Sequence, residues 1–266
     1  MNRRSTPQFP SKDQLIMGIH AIQELLTHAP EKLLHLFAEP PKRGGRKMNL
    51  VELCEKKKIP ITFVSLETLT QMAGSDSHQS VVAHIKKRHF FNPKEFLKSL
   101  EDKKSSLVLM LDQIFDPQNF GALLRCAECL GADGIIWSKN RGADLTPTVA
   151  KASSGASEIL PLLRISNLAD VLAQFQEAGF EAIAALLDST AQSAFHFSFA
   201  LRTLLIVGSE GEGIQPLLAK KADRSIYIPM EGKIQSLNVS QGAAILMALY
   251  RSQIYPLTQV RQITDR

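Results

Sequence analysis

The chain has 266 residues and a hydrophobic fraction of 44%, enough to build one large or two ordinary packed domains. No apolar run approaches the roughly 18 residues of a membrane span, and the charged opening Arg3-Arg4 leads into no apolar signal segment, so neither insertion nor secretion is expected. The net charge of +5 is unevenly spread: residues 1–105 hold 18 Lys and Arg against 11 Asp and Glu, and residues 106–266 hold 13 against 15.

The basic surplus therefore lies in the N-terminal part. Lys42-Arg43 with Arg46-Lys47, Lys56–Lys58 and Lys86–Arg88 are suited either to a polyanion, through counterion release, or to ordinary solvated faces. Three cysteines, Cys54, Cys126 and Cys129, cannot all pair with one another, which points to a reducing cytosol.

In chain order, a polar tail over 1–13 precedes a helix-spaced apolar pattern at 19–26 and a strand at 32–38. The alternation repeats with a helix over 48–57, a strand at 61–64, a short helix near 66–72 and a strand at 81–85, giving a first domain over 14–88. Residues 89–105 read as a linker with a helix N-cap signal at Asn92. A second domain, 106–256, opens on the continuous apolar run 107–111, the mark of a strand buried on both faces of a parallel sheet. Strands near 135–137, 159–163, 182–185 and 204–207 then alternate with helices near 121–130, 169–178 and 214–219, which means α/β with a mainly parallel sheet. A small-residue helix over 240–250 and a polar tail over 257–266 finish the chain.

Ligands of such sheets sit beyond the carboxyl ends of the strands, so the loops after buried strands carry the chemistry. Three stand out. The first leads from Asp112 into a helix expected to start at Asn119, with Arg125 inside it between Leu124 and Cys126. A partly buried guanidinium there needs an ion pair, a carbonyl or a bound phosphate. The second, from Gly208 through Glu210 and Gly211 to Gly213, lets a ligand approach the backbone closely. Its spacing is not that of a dinucleotide fingerprint, and its carboxylates repel a phosphate. The third runs over 228–240, with Ser236 and Asn238 two apart and so on one side of an extended loop. Cys126 and Cys129 form a C-x-x-C inside a helix rather than at its start, which reads as helix packing and not as a redox or zinc site.

Taken together, Asn119-x-Gly121 with Arg125, Gly208-Ser-Glu210 with Gly213, and Ile228-Pro-Met230 with Gly232, Ser236, Asn238 and Ser240 resemble the three motifs of the SpoU (TrmH) family of RNA 2′-O-ribose methyltransferases, in the SPOUT superfamily. Gly18-Ile-His20 with Glu24, and His78-Gln79-Ser80, resemble the small substrate-binding domain of the family's ribosomal-RNA branch, an α/β RNA-binding domain like those of ribosomal proteins. Ser80 stands where that branch has Gly.

The resemblance implies a trefoil-knotted C-terminal domain, a homodimer, and S-adenosyl-L-methionine as the methyl donor, with S-adenosyl-L-homocysteine as product and no metal. It places the cofactor on Gly208, Gly213, Ile228, Met230, Leu237, Val239 and Ser240. It places Arg125 at the ribose hydroxyl, in its own or the partner's pocket, with Asn119, Glu210, Ser236 and Asn238 in support. His20 and His78 are expected to be structural or to contact RNA. The implied substrate is a guanosine of 23S rRNA; the alternatives are transfer RNA, or a non-catalytic RNA-binding homologue.

Overall fold

The computed structural model describes residues 10–11, 14–41, 44–234 and 236–255. The expected tails, apart from Pro10 and Ser11, lie outside these residues, as do Lys42 and Arg43 of the first basic run. The chain forms two compact units, one made of the chain up to His89 together with Asp144–Ile159, the other of Phe90–Ala143 and the chain from Leu160 onward.

The first unit contains β1 (Leu15–Met17), α1 (Ile19–His28), β2 (Leu33–Ala38), α2 (Arg46–Lys56), β3 (Ile61–Phe63), α3 (Leu66–Ala73) and β4 (Val81–Ile85). Its sheet has the order β1-β4-β2-β3, antiparallel except for the β2–β3 pair. Leu25, Leu26, Leu50 and Val51 pack with Leu36 and Ala83 in one core cluster, and Leu69 and Met72 pack with Leu15, Met17 and Val82 in another. The same unit takes in the segment Asp144–Ile159, which carries α6 (Pro147–Ala152) and a 3₁₀ turn at Ala156–Glu158. Ala150 joins the first cluster. Glu158, 3% exposed, accepts from Arg88 Nε at 2.8 and 3.0 Å, while its carbonyl accepts from Lys32 Nζ at 2.5 Å. The segment differs from the expected continuous domain over 106–256, because the contacts that assign it are tertiary and leave no local signature.

In the second unit, α4 (Pro93–Ser99) begins at Asn92, whose side chain accepts the Glu95 N–H at 2.9 Å, with Pro93 in the first helical position. Phe96 from this helix is buried beside Phe175 and Gly134; a side chain at Gly134 would meet the Phe96 ring at 2.5 Å. Most of the stretch 89–105 is thus part of this unit rather than a connection.

The main sheet contains β5 (Ser106–Leu111), β6 (Gly134–Ser138), β7 (Leu162–Ile165), β8 (Glu181–Ala185), β9 (Gln192–Ser193), β10 (Arg202–Val207) and β11 (Arg224–Tyr227). Its order is β7-β6-β5-β10-β8-β11-β9, and every pairing is parallel. All six residues of β5 are buried, as a strand covered on both faces requires. The helices α5 (Pro117–Cys129), α7 (Leu168–Glu177), α8 (Pro216–Lys221) and α9 (Val239–Ile254) complete the unit. Among the described residues no helix is long and apolar enough to cross a membrane.

Candidate active site

Because β5 and β10 are parallel neighbours with Leu111 opposite Val207, the loop before α5 and the loop after β10 leave the same edge of the sheet. β8 and β11 deliver 186–187 and 228–230 to that edge as well. The result is a cleft of about 630 Å³ lined by 185–187, by Gly208, Glu210 and Gly213, by Ile228 and Met230, and by 236–239 with Gly242 and Leu246 of α9. The loop after β10 closes on itself: Ser209 N–H donates to the Gly213 carbonyl at 3.2 Å and Gly213 N–H returns to Ser209 at 3.0 Å. A Cβ at Gly208 would stand 2.2 Å from the Gly213 carbonyl carbon, so no side chain fits there.

A polar network ties the three loops together within one chain. Glu210 Oε1 accepts from Asn119 Nδ2 at 3.2 Å, from Asn238 Nδ2 at 2.8 Å and from the Val239 N–H at 3.1 Å. Asn238 Nδ2 also donates to Asn119 Oδ1 at 2.8 Å. The side-chain oxygen of Asn238, Oδ1, caps α9, accepting from the Ser240 N–H at 3.0 Å and its hydroxyl at 2.6 Å. Val239 therefore opens the helix expected to begin at 240.

Two expectations for α5 are corrected. The helix begins at Pro117, and its cap is Asp116, which accepts the Asn119 N–H at 2.7 Å, so Asn119 lies inside the first turn with its amide free for the network. Arg125 is exposed rather than partly buried, is not among the residues lining the cleft, and has no hydrogen bond or ion pair among the described residues. Six residues at about 100° each set it roughly 120° around the helix from Asn119, which removes it from the face that meets the network. Cys126 and Cys129 lie in the same helix, but against the expected packing Cys126 is half-buried and Cys129 exposed, because the inward face is taken by Phe120, Leu123, Leu124 and Ala127; burial is still the main cause raising the pKa of each.

Against known families, residues 106–248 match the SpoU rRNA methylase family and residues 15–91 match the RNA 2′-O ribose methyltransferase substrate-binding domain. The chain belongs to the SpoU rRNA methylase family. Its relatives include the 23S rRNA (guanosine-2′-O-)-methyltransferase RlmB of Acinetobacter baylyi, 33% identical over 243 residues that cover 91% of this chain and 97% of that one. The RlmB of Escherichia coli is 32% identical over 238 residues, 88% of this chain and 96% of the relative. Among solved structures, the SpoU methyltransferase AviRb from Streptomyces viridochromogenes, in complex with the cofactor AdoMet, matches with a TM-score of 0.73 at 22% identity, over 90% of this chain and 89% of that one.

Within this SpoU domain the sequence reading missed two contributions. Leu186 and Leu187 line the cleft, the latter 77% exposed, and an isolated leucine pair after a strand gives no signal. Asp112, fully buried at the end of β5, accepts the Gln215 N–H and its side-chain amide, both at 2.7 Å, and Arg141 donates to Gln215 Oε1 at 2.6 Å. An acidic residue directly after five apolar ones was the available sign that a buried carboxylate there needs donors.

Proposed function

We propose that this chain transfers a methyl group from S-adenosyl-L-methionine to the ribose 2′-OH of a guanosine in 23S rRNA, as a cytoplasmic homodimer. The observation that carries the reading is the cleft at the carboxyl edge of the sheet, lined by the second and third motif loops of a SpoU family member and tied to the first through the hydrogen bonds of Asn119. The activity named for the RlmB relatives supports the substrate, and the AdoMet in the structure of like fold supports the methyl donor. The trefoil knot implied by the resemblance belongs to the same proposal.

The residues present fit the cofactor. Leu186, Ile228, Leu237 and Leu246 give apolar walls, Gly208 leaves its backbone bare, and Glu210 is the one charged side chain among the described lining residues. Such a lining suits an uncharged adenosyl group and a cationic sulfonium, and not a phosphate. Bound there, S-adenosyl-L-methionine supplies a methyl sulfonium electrophilic enough to need no metal, and transfer to the 2′-oxygen leaves S-adenosyl-L-homocysteine and a released proton.

The chain's own residues divide the remaining work. Gly208, Gly213, Ile228, Met230, Leu237, Val239 and Ser240 hold the cofactor. Asn119, Glu210 and Asn238 lock the loops in register, and Ser236, at the exposed edge of the cleft, positions the ribose. Arg125 is a poor base, as guanidinium groups in general are; its role is to stabilise the developing alkoxide and clamp the neighbouring phosphate. Its exposure, its lack of a partner among the described residues and its absence from the cleft lining support delivery to the pocket of a second copy.

The test is incorporation of labelled methyl groups into a 23S rRNA transcript, followed by mapping of 2′-O-methyl positions. Incorporation at one guanosine is the expected result. Binding of cofactor and rRNA without incorporation would assign a non-catalytic homologue, and incorporation confined to transfer RNA would move the substrate.

A further inference from the structure

The first unit has a cavity of its own, about 380 Å³, where the start of α1 and the start of α2 meet the turn at 78–80. Ile19, His20, Gln23, Arg46 and Gln79 line it. Every polar member of this set can donate hydrogen bonds, none is a carboxylate, and Ile19 provides an apolar wall.

Gln79 is held for this place. Its backbone has φ +54°, in the left-handed region that ordinary residues avoid, and the turn is pinned from below by His78, which is 4% exposed. His78 Nδ1 accepts the Ser80 N–H at 3.0 Å, so Nε2 carries the proton and donates to Thr70 Oγ1, also at 3.0 Å. Lys151 of α6 donates to the Ser77 carbonyl at 2.6 Å and steadies the same turn. His78 is thus a support and not a contact residue. The Ile19 N–H donates to Gln79 Oε1 at 3.0 Å, which fixes the amide's orientation and leaves both Nε2 hydrogens for a ligand.

Arg46 is exposed and has no hydrogen bond or ion pair among the described residues, whereas its neighbour Lys47 is engaged by Glu39 at 2.9 Å. Resting on the reading of the chain as an rRNA methyltransferase, we infer that this cavity receives one unstacked nucleotide of the substrate RNA, at a point separate from the methylated ribose. Arg46 takes its phosphate, the amides of Gln79 and Gln23 donate to acceptors on the base edge, and the base lies against Ile19. Sequence-selective recognition of RNA works in this way, through splayed bases read on their edges while cations hold the backbone. A protein segment as occupant is the competing outcome, and it predicts no dependence on RNA.

The experiment uses the full chain and a 23S rRNA transcript, with binding followed by fluorescence anisotropy across a salt series. Arg46→Ala is expected to weaken RNA binding about tenfold and to flatten the slope of log K against log salt by about 0.7–0.9, the loss of one phosphate contact. Gln79→Glu keeps the oxygen that accepts from Ile19 but replaces the donor NH₂, so the fold is retained while RNA binding weakens roughly tenfold. Both variants are expected to bind S-adenosyl-L-methionine as the wild type does. A wild-type chain that methylates the transcript while both variants bind it within twofold of wild type overturns the subsite alone. A wild-type chain that neither binds nor methylates any rRNA transcript overturns this inference together with the function it rests on.

Discussion

Glu210 and Asn238, 28 residues apart, meet through a 2.8 Å hydrogen bond in which a single carboxylate oxygen also serves Asn119 and the first backbone N–H of α9. One acceptor thereby sets the relative position of three loops. Glu210→Ala leaves three donors without it, each worth about 1–3 kcal/mol where water cannot substitute. Because Glu210 is itself exposed, the lower end applies, and cofactor affinity measured by calorimetry should fall roughly tenfold. Unchanged affinity would show that the loops hold their register without it.

Arg125→Ala should leave thermal stability within about 0.5 kcal/mol of wild type, as for an exposed side chain without partners among the described residues, and cofactor affinity unchanged. Methyl transfer under single-turnover conditions should drop by about 10²–10³, the loss typical of a group that stabilises developing negative charge. Mixing this variant with Gly208→Ala, whose Cβ would strike the Gly213 backbone, restores partial activity only if Arg125 serves the other copy's pocket. No recovery in mixed dimers would place the arginine in its own pocket.

Ser80 has φ +63°. Glycine adopts that backbone freely, so Ser80→Gly should raise the denaturation midpoint of the first unit by the equivalent of about 0.5–1 kcal/mol, after allowance for the extra freedom of the unfolded chain. A lower midpoint would mean that the serine side chain contributes more than its backbone strain removes.

Arg88 and Glu158 form a pair whose side chains are only 6% and 1% exposed, with an Nη2–Oε1 separation of 2.7 Å. Glu158→Ala removes the carboxylate from beside a buried guanidinium and should destabilise the first unit by about 3–5 kcal/mol in denaturant unfolding. A loss below 1 kcal/mol would indicate that water reaches the site.

Burial lowers the pKa of His78 below its ordinary 6.5, and Lys151 acts in the same direction, while Asp76 and Glu39 oppose them. The unfolded chain then binds the proton more readily than the folded one. The stability contributed by neutral His78 is therefore complete above about pH 6.5 and is lost as pH falls toward the lowered folded value. His35, lowered by burial and by His84, adds to the same trend, so His78→Gln should flatten the pH profile of the unfolding midpoint only in part. An unaltered profile would assign the whole effect to other groups.

The loops of the candidate site were legible because their requirements are local. Gly208 tolerates no side chain, Asn238 caps a helix, and the buried run of β5 announces a parallel sheet. The exposure of Arg125 was hidden by its sequence neighbours Leu124 and Cys126, whereas α5 turns Phe120, Leu123, Leu124 and Ala127 inward and Arg125 outward. Nothing in 144–159 resembles the periodic patterns that define the first unit, since α6 has only six residues and its burial is conferred by β1 and α1. The two-residue β9 is likewise made by its pairing with β11 and not by its own composition.

The segment Asp144–Ile159 also governs how the gene for this protein can be cut. The chain passes from one unit to the other after His89, after Ala143 and after Ile159, so no single truncation releases either unit intact. Excising residues 1–89 would strip Val149, Ala150 and Ala156 of the partners that keep them from water, leaving a sticky helix in the middle of the remaining polypeptide. A free-standing version of the first unit would need a splice from residue 89 to residue 144, and a free-standing second unit a bypass of 144–159.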